Sequence, residues 1–171
     1  MIREFRVTNI YVAPENWQRM DLLCMEFGWH KKTIVRRCIH GFFQRHQGFY
    51  AEAALKDAKL RGISEKEYFL ILRDKTIDDL PPYPKDTVLP FGISPLMQYP
   101  LVPTEPEFRH PYNMLTLSAY NYVLFRTALI VERLPQNQVI GKMIVKHFAD
   151  DWPIYEARMQ RDRACKFAIT N

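Results

Sequence analysis

The apolar positions of the first sixty residues change period once, from that of a strand to that of a helix. "FRVTNIYV" (5–12) is dense in β-branched and aromatic residues and predicts a short strand. From Trp17 onward, Trp17, Met20, Leu23, Cys24 and Phe27 have the spacing of one helix face. Pro14 suits the first turn of that helix and Gly28 its end. Ile34, Val35, Cys38, Ile39, Phe42 and Phe43 then mark the buried side of a longer helix. The predicted order is strand, helix, glycine turn, helix, within about 45 residues.

Further along, "SEKEYFLILRDKTIDDL" (64–80) predicts another helix, with Ser64 and Glu67 at capping-box spacing and Gly62 as a stop before them. Tyr68, Phe69, Ile71 and Leu72 suit it to packing against a neighbour. Nine of the twelve prolines then fall between Pro81 and Pro111, so this stretch is expected to hold neither a helix nor a central strand. It still carries Val88, Leu89, Phe91, Ile93, Leu96, Met97, Tyr99 and Leu101, too many apolar residues for a disordered linker. An extended connector packed along a surface is the expectation.

Sliding the chain by 105 positions lays the first pattern over a second copy without a gap. Ile10 falls on Leu115, Val12 on Leu117, Trp17 on Tyr122 and Met20 on Phe125. Ile34, Val35 and Ile39 fall on Val139, Ile140 and Ile144, and beyond them Phe43, Tyr50 and Asp57 fall on Phe148, Tyr155 and Asp162.

Composition narrows the function. At 171 residues, 47% hydrophobic and 25% charged, the chain has the make-up of one sizeable globular domain or two small modules sharing a core. No apolar run approaches the ~18 residues of a membrane span, and the polar start "MIREFRVTN" lacks a secretory core. A cytoplasmic, nucleoid-associated protein is expected, with three cysteines kept as thiols. The net charge of +5 is local: residues 1–62 hold eleven Lys/Arg against six Asp/Glu, and the remainder is balanced at thirteen each. Within "GWHKKTIVRRCIHGFFQRH" (28–46) five are Lys or Arg and none is acidic, a footprint for nucleic acid or anionic lipid. Catalytic signals are weak. Cys24 and Cys38 lie on apolar helix faces, the five histidines lack metal-ligand spacing, no phosphate-binding glycine loop is present, and "DDW" (150–152) reads as a surface loop. Neither enzyme activity nor a cofactor or metal is expected.

A strand and two helices in so short a span resemble the ribbon-helix-helix superfamily of DNA-binding proteins, well over 5–50 and more weakly over 112–155. "GWHKKTIVRRCIHGFFQRHQGFYAEAALKDA" is similar in particular to the tandem, TraY-type regulatory and relaxosome proteins of conjugative plasmids. The resemblance implies a mainly α fold with a short two-stranded antiparallel ribbon, its two units forming an intramolecular pseudo-dimer. Unit 1 would span 1–62, with a basic second helix and a helical extension. A helix and proline-rich connector would follow over 63–111, and a degenerate unit 2 with a C-terminal helix over 112–171.

The family register places Thr8, Ile10, Val12, Leu115 and Leu117 inward, and Val7, Asn9, Tyr11, Met114 and Thr116 outward as base contacts. The opposite strand phase turns Phe5 and Val7 inward. Phosphate contacts would come from Arg6, from His30, Lys31, Lys32 and Arg36 at the second helix, and from Gln136 and Asn137 at its counterpart. That second copy has Arg133-Leu134-Pro135 for the glycine turn and has lost the lysines. The implied function is a sequence-specific double-stranded DNA-binding transcriptional regulator of a conjugative or other mobile element. A relaxosome accessory protein bound near a transfer origin, a protein-interaction module with little DNA binding, and an antitoxin are the alternatives. The implied partners are double-stranded DNA, a second copy on adjacent half-sites, and RNA polymerase or a relaxase, with no membrane.

Overall fold

Local chemistry sets most helix ends in the computed structural model, which describes residues 1–171. α1 (Pro14–Phe27) opens with its proline and stops at Gly28, whose φ of 68° is the left-handed conformation that glycine adopts without strain. α2 (Lys31–Leu60) follows directly. α3 (Glu65–Asp74) starts at Ser64, whose hydroxyl accepts from the Glu67 N–H at 3.1 Å. α4 (Ala119–Glu132) starts in the same way at Ser118, with the Asn121 N–H at 3.1 Å. α5 (Gln136–Thr170) follows Pro135. α4 and α5 begin 105 residues after α1 and α2.

The paired strands come from segments about a hundred residues apart in the chain. β1 (Ile2–Arg6) pairs antiparallel with β4 (Met114–Ser118), Phe5 facing Leu115, and β2 (Asn9–Tyr11) pairs antiparallel with β3 (Arg109–Pro111), Ile10 facing His110. Between the two sheets the Val7 N–H donates to the Asn113 carbonyl at 2.8 Å and the Tyr112 N–H to the Thr8 carbonyl at 3.1 Å. The pairing register continues through this junction while the inward face changes. Phe5, Val7, Leu115 and Leu117 face the core on one side of it; Ile10, Val12, His110 and Tyr112 face it on the other.

This architecture corrects the expected tandem pair of ribbon-helix-helix units. The chain is mainly helical, at 62%, but it has five α-helices and two separate two-stranded sheets, which that pair does not accommodate. The reason lies in residues 63–111. Their expected helix, α3, packs on both α2 and α4, and the proline-rich part, expected only to connect, supplies β3, which forms half of the second sheet. Its prolines do not forbid that strand, because β3 has a partner on one side only and Pro111 sits at its end. Two strand assignments fall with the change of face. One unbroken strand over 5–12 would put Val7 outward and Thr8 inward, whereas Val7 is 2% exposed in the core and Thr8 is open to solvent. Residues 150–152 are likewise no loop; they continue α5, where Asp151 pairs with Arg45.

The larger of two apolar clusters joins the halves, with Ile10, Met20, Ile34 and Phe43 from the first and Leu115, Phe125, Ile140 and Phe148 from the second. Phe91 and Leu96 of the proline-rich segment enter it too. A polar pin holds the far end of α2. Asp57 is fully buried; it accepts from Arg61 Nε at 3.0 Å, from the Tyr68 hydroxyl at 2.7 Å and from the Tyr83 hydroxyl. Arg61 also donates to the Pro81 carbonyl at 2.8 Å and lies over the Tyr83 ring, so three segments meet on one carboxylate. Burial, and then the bond to Asp57, pushes the Tyr83 phenol up to about 12 and the Tyr68 phenol higher still. Removing one partner of such a pair leaves the other buried and uncompensated, so Asp57→Ala should cost about 3–5 kcal/mol. Urea unfolding at neutral pH measures this, and a loss within the ~1 kcal/mol of an exposed pair would show that the pin is not structural.

Candidate nucleic-acid interface

The outer face of the paired strands is exposed at Glu4, Arg6 and Arg109 and half-buried at Asn9, Tyr11, Met114 and Thr116. β1 and β2 present Glu4, Arg6, Asn9 and Tyr11 there; β3 and β4 present Arg109, Met114 and Thr116. The alternation of side chains across a strand puts these opposite the core-facing set. Asn9, Tyr11, Met114 and Thr116 therefore share one surface, while Val7 is turned away from it. Glu4 is the acid on this face, with the Thr116 hydroxyl 3.4 Å from its carboxylate.

A helix start flanks the strands on each side, α2 lying by β4 and α5 by β2. At the α5 start, a hollow of about 250 Å³ brings Arg6, Asn9 and Tyr11 together with Gln136 and Asn137. Gln136 is occupied within the chain, donating from Nε2 to the Arg6 carbonyl at 3.0 Å, while the Asn137 Oδ1 is buried without a partner. At the α2 start, the cap residue His30 is exposed and its side chain makes no capping bond. Lys31 is held: its ammonium pairs with Asp21 at 2.5 Å and lies 4.6 Å from the centre of the Trp17 ring, which itself stacks on His110. Lys32 is exposed and makes no ion pair, so it is the lysine available to an anion.

One turn on, α2 borders a groove of about 500 Å³ against β4 and α4. Thr33, Arg36, Arg37 and His40 line its α2 side. Thr116, Leu117, Ser118 and Asn121 line the other, and Leu117 is the one apolar residue among them. The guanidinium of Arg37 is also stacked over Trp29 at 4.1 Å, and Asn121 Nδ2 lies 3.2 Å from His40 Nδ1. Arg37, His40, Ser118, Asn121 and Arg109 are absent from the sequence-derived contacts. The α2 members were accessible to pattern: positions 33, 36, 37 and 40 form a helix stripe with the spacing normally sought in apolar residues. Ser118 and Asn121 reach the groove only through the fold, and Arg109 reaches the outer face through a strand hidden among prolines.

Cys38 is buried and its thiol is pushed far up by that burial. No group of three or more His, Cys, Asp or Glu side chains is placed to hold a metal ion. No helix is long and apolar enough to cross a membrane. Comparison with protein-family models, with characterised proteins and with solved structures finds no match.

Three histidines give the fold a pH dependence of definite sign. Burial holds His46, His110 and His147 below the ordinary value of 6.5, against the partial opposition of Asp151 at His147. The folded chain takes up protons on them at lower pH than the unfolded chain, which does so as pH falls through 6.5. Their contribution is present above that value and lost below it. Glu26, Asp74 and Asp79, held low by their hydrogen bonds, lose stabilisation only at still lower pH. The urea midpoint should therefore fall between about pH 7.5 and pH 5.5; a constant or rising midpoint would contradict the assignment of neutral, buried imidazoles.

Proposed function

We propose that this chain is a sequence-specific double-stranded DNA-binding protein that reads the major groove with its paired strands. The carrying observation is the open outer face of those strands, with Arg6, Asn9, Tyr11, Arg109 and Thr116 along it. The major groove admits a two-stranded β-ribbon, and its base edges present donor and acceptor patterns that such side chains can match. Asn9 is suited to adenine, whose groove edge takes both a donor and an acceptor from one amide. Tyr11 and Thr116 offer hydroxyls, and Met114 an apolar contact for a thymine methyl. Arg6, His30 and Lys32 suit the flanking backbone, where cations and helix N–H groups position a protein without reading sequence.

As a role for such binding we propose transcriptional regulation on a mobile element. Accessory binding beside a transfer origin uses the same surface, and the position of the site relative to a promoter or a nick separates the two. A protein-interaction module is favoured by a different observation, an apolar groove of about 440 Å³ between α3 and α4, lined by Phe69, Leu70, Tyr120 and Val123.

Selection from a random library of ~30 bp duplexes, with the winners re-measured at two salt concentrations, tests the DNA reading. The expected result is an enriched motif. On it, Asn9→Ala should cost ~1–3 kcal/mol while leaving random DNA nearly unaffected. Lys32→Ala should weaken binding to every sequence and flatten the salt slope by about one. No enrichment, together with binding that vanishes as salt rises, would transfer the reading to the protein-interaction module.

A further inference from the structure

The 105-residue offset sets the groove beside α2 against a filled counterpart. In the second half, Val102 of the proline-rich segment packs on α5 where that helix meets β2. Its N–H donates to Gln138 Oε1 at 2.8 Å, and Gln138 Nε2 donates to its carbonyl at 2.9 Å. Gly141 makes the space: a Cβ there would lie 2.9 Å from Val102 Cγ2 and 3.4 Å from the Tyr11 carbonyl oxygen. Shifted by 105 positions, Gln138 corresponds to Thr33, Gly141 to Arg36 and Tyr11 to Thr116. All three line the groove between α2, β4 and α4. The two halves thus carry one groove each, and the chain closes the one beside α5 with its own backbone.

The substitutions between the grooves say what the open one takes. Where Gly141 lets a peptide lie against the helix, Arg36 places a long cationic side chain at the groove wall. Where Gln138 pairs with a peptide N–H and C=O, Thr33 is too short to do so. Lys142 and Val145 correspond to Arg37 and His40. A peptide strand has lost its backbone partner and its close approach to the helix, whereas an oxyanion has gained two guanidinium groups, an imidazole and the hydroxyls of Thr33 and Ser118. With His40 Nδ1 accepting from Asn121, its Nε2 carries the proton and can donate.

We propose that this groove holds a backbone phosphate of the bound duplex, giving the protein a one-sided grip on DNA. The strand running past β4 is clamped by Arg36, Arg37 and His40. The equivalent place past β2 is closed by Val102, so no matching clamp exists there. The proposal rests on the DNA reading and adds to it an asymmetry that the paired strands alone do not have.

Because a phosphate contact is independent of sequence, the probe is a labelled ~30 bp duplex of arbitrary sequence, titrated with the full chain from roughly 50 to 200 mM salt. Arg36→Ala and Arg37→Ala should each flatten the slope of log K against log salt by about 0.9, and Arg36→Lys should restore it. Arg161→Ala, a charge lost from the exposed far end of α5, should leave the slope unchanged. Ethylating the phosphates of a selected site should block binding at a cluster on one side that has no counterpart across the site. Slopes unmoved in both arginine variants, with wild-type binding intact, would overturn the clamp and leave the DNA reading standing. Wild-type protein that binds no duplex at low salt would overturn both. A peptide of residues 98–107 that binds the wild type but not Arg36→Ala, with the DNA slope unmoved, would overturn the clamp and assign the groove to an extended peptide.

Discussion

Residues 2–11 find their hydrogen-bond partners in residues 109–118, and the rest of the structure depends on that pairing. Each segment alone is a short strand with one apolar face, and an isolated pair of such strands is marginal in water. Together they form a floor on which Phe5, Ile10, Leu115 and Leu117 meet the helices of both halves. The two halves therefore have no separate cores: Phe5 stacks on Phe125, and Trp17 on His110. Closing a loop of about a hundred residues before any ladder bond forms carries an entropic cost, which the shared core of both halves must offset. The same pairing leaves the opposite face of the strands without cover, and the proposed function lives on that face.

The proline-rich segment breaks the symmetry that the sequence offset suggests. Its backbone is tied down at three kinds of anchor: the Asp57 pin at Pro81 and Tyr83, the apolar contacts of Phe91 and Leu96, and the amide clamp of Gln138 on Val102. Two of these anchors, Asp57 and Gln138, have no equivalent anchor at the position offset by 105 residues. Asp162, at the position corresponding to Asp57, is partly exposed and has only surface arginines beside it. Gly141 exists where Arg36 stands in the first half. A segment that satisfies its own backbone in this way is structural, and its prolines fix φ along a path that needs few donors.

What the sequence discloses follows how local each feature is. Pro14, Gly28 and Ser64 mark helix ends through interactions within four residues, and the ends lie where those residues put them. The apolar stripe Ile34, Val35, Cys38, Ile39, Phe42 and Phe43 is wholly buried because helix period maps directly onto one face. Strand phase is different. Whether Val7 or Thr8 points inward depends on the junction with Asn113 and Tyr112, more than a hundred residues away, and no window around residue 7 contains that information. β3 was hidden by a sound rule applied to a case it does not cover, since proline removes a donor that an edge position does not need. At the site, Asn9, Tyr11, Met114 and Thr116 share a surface as their alternation implies, whereas Ser118 and Asn121 acquire meaning only beside α2.

The charge excess of the first 62 residues resolves into a spatial statement once pairing is considered. Six of its cations are engaged: Arg3 with Asp74, Arg19 with Glu15, Lys31 with Asp21, Arg45 with Asp151, Lys56 with Glu52 and Arg61 with Asp57. Those pairs hold the fold together, or are exposed and contribute little. Arg6, Lys32, Arg36, Arg37 and Lys59 remain. Lys59 sits at the far end of α2, while the other four lie on the strands, at the start of α2 or in its groove. A merely soluble protein gains nothing from concentrating its unpaired cations around a polar strand face. On the proposed DNA reading, cations on the strands, at the start of α2 and in its groove would take backbone phosphates and hold the strand face against the groove by contacts that themselves read nothing.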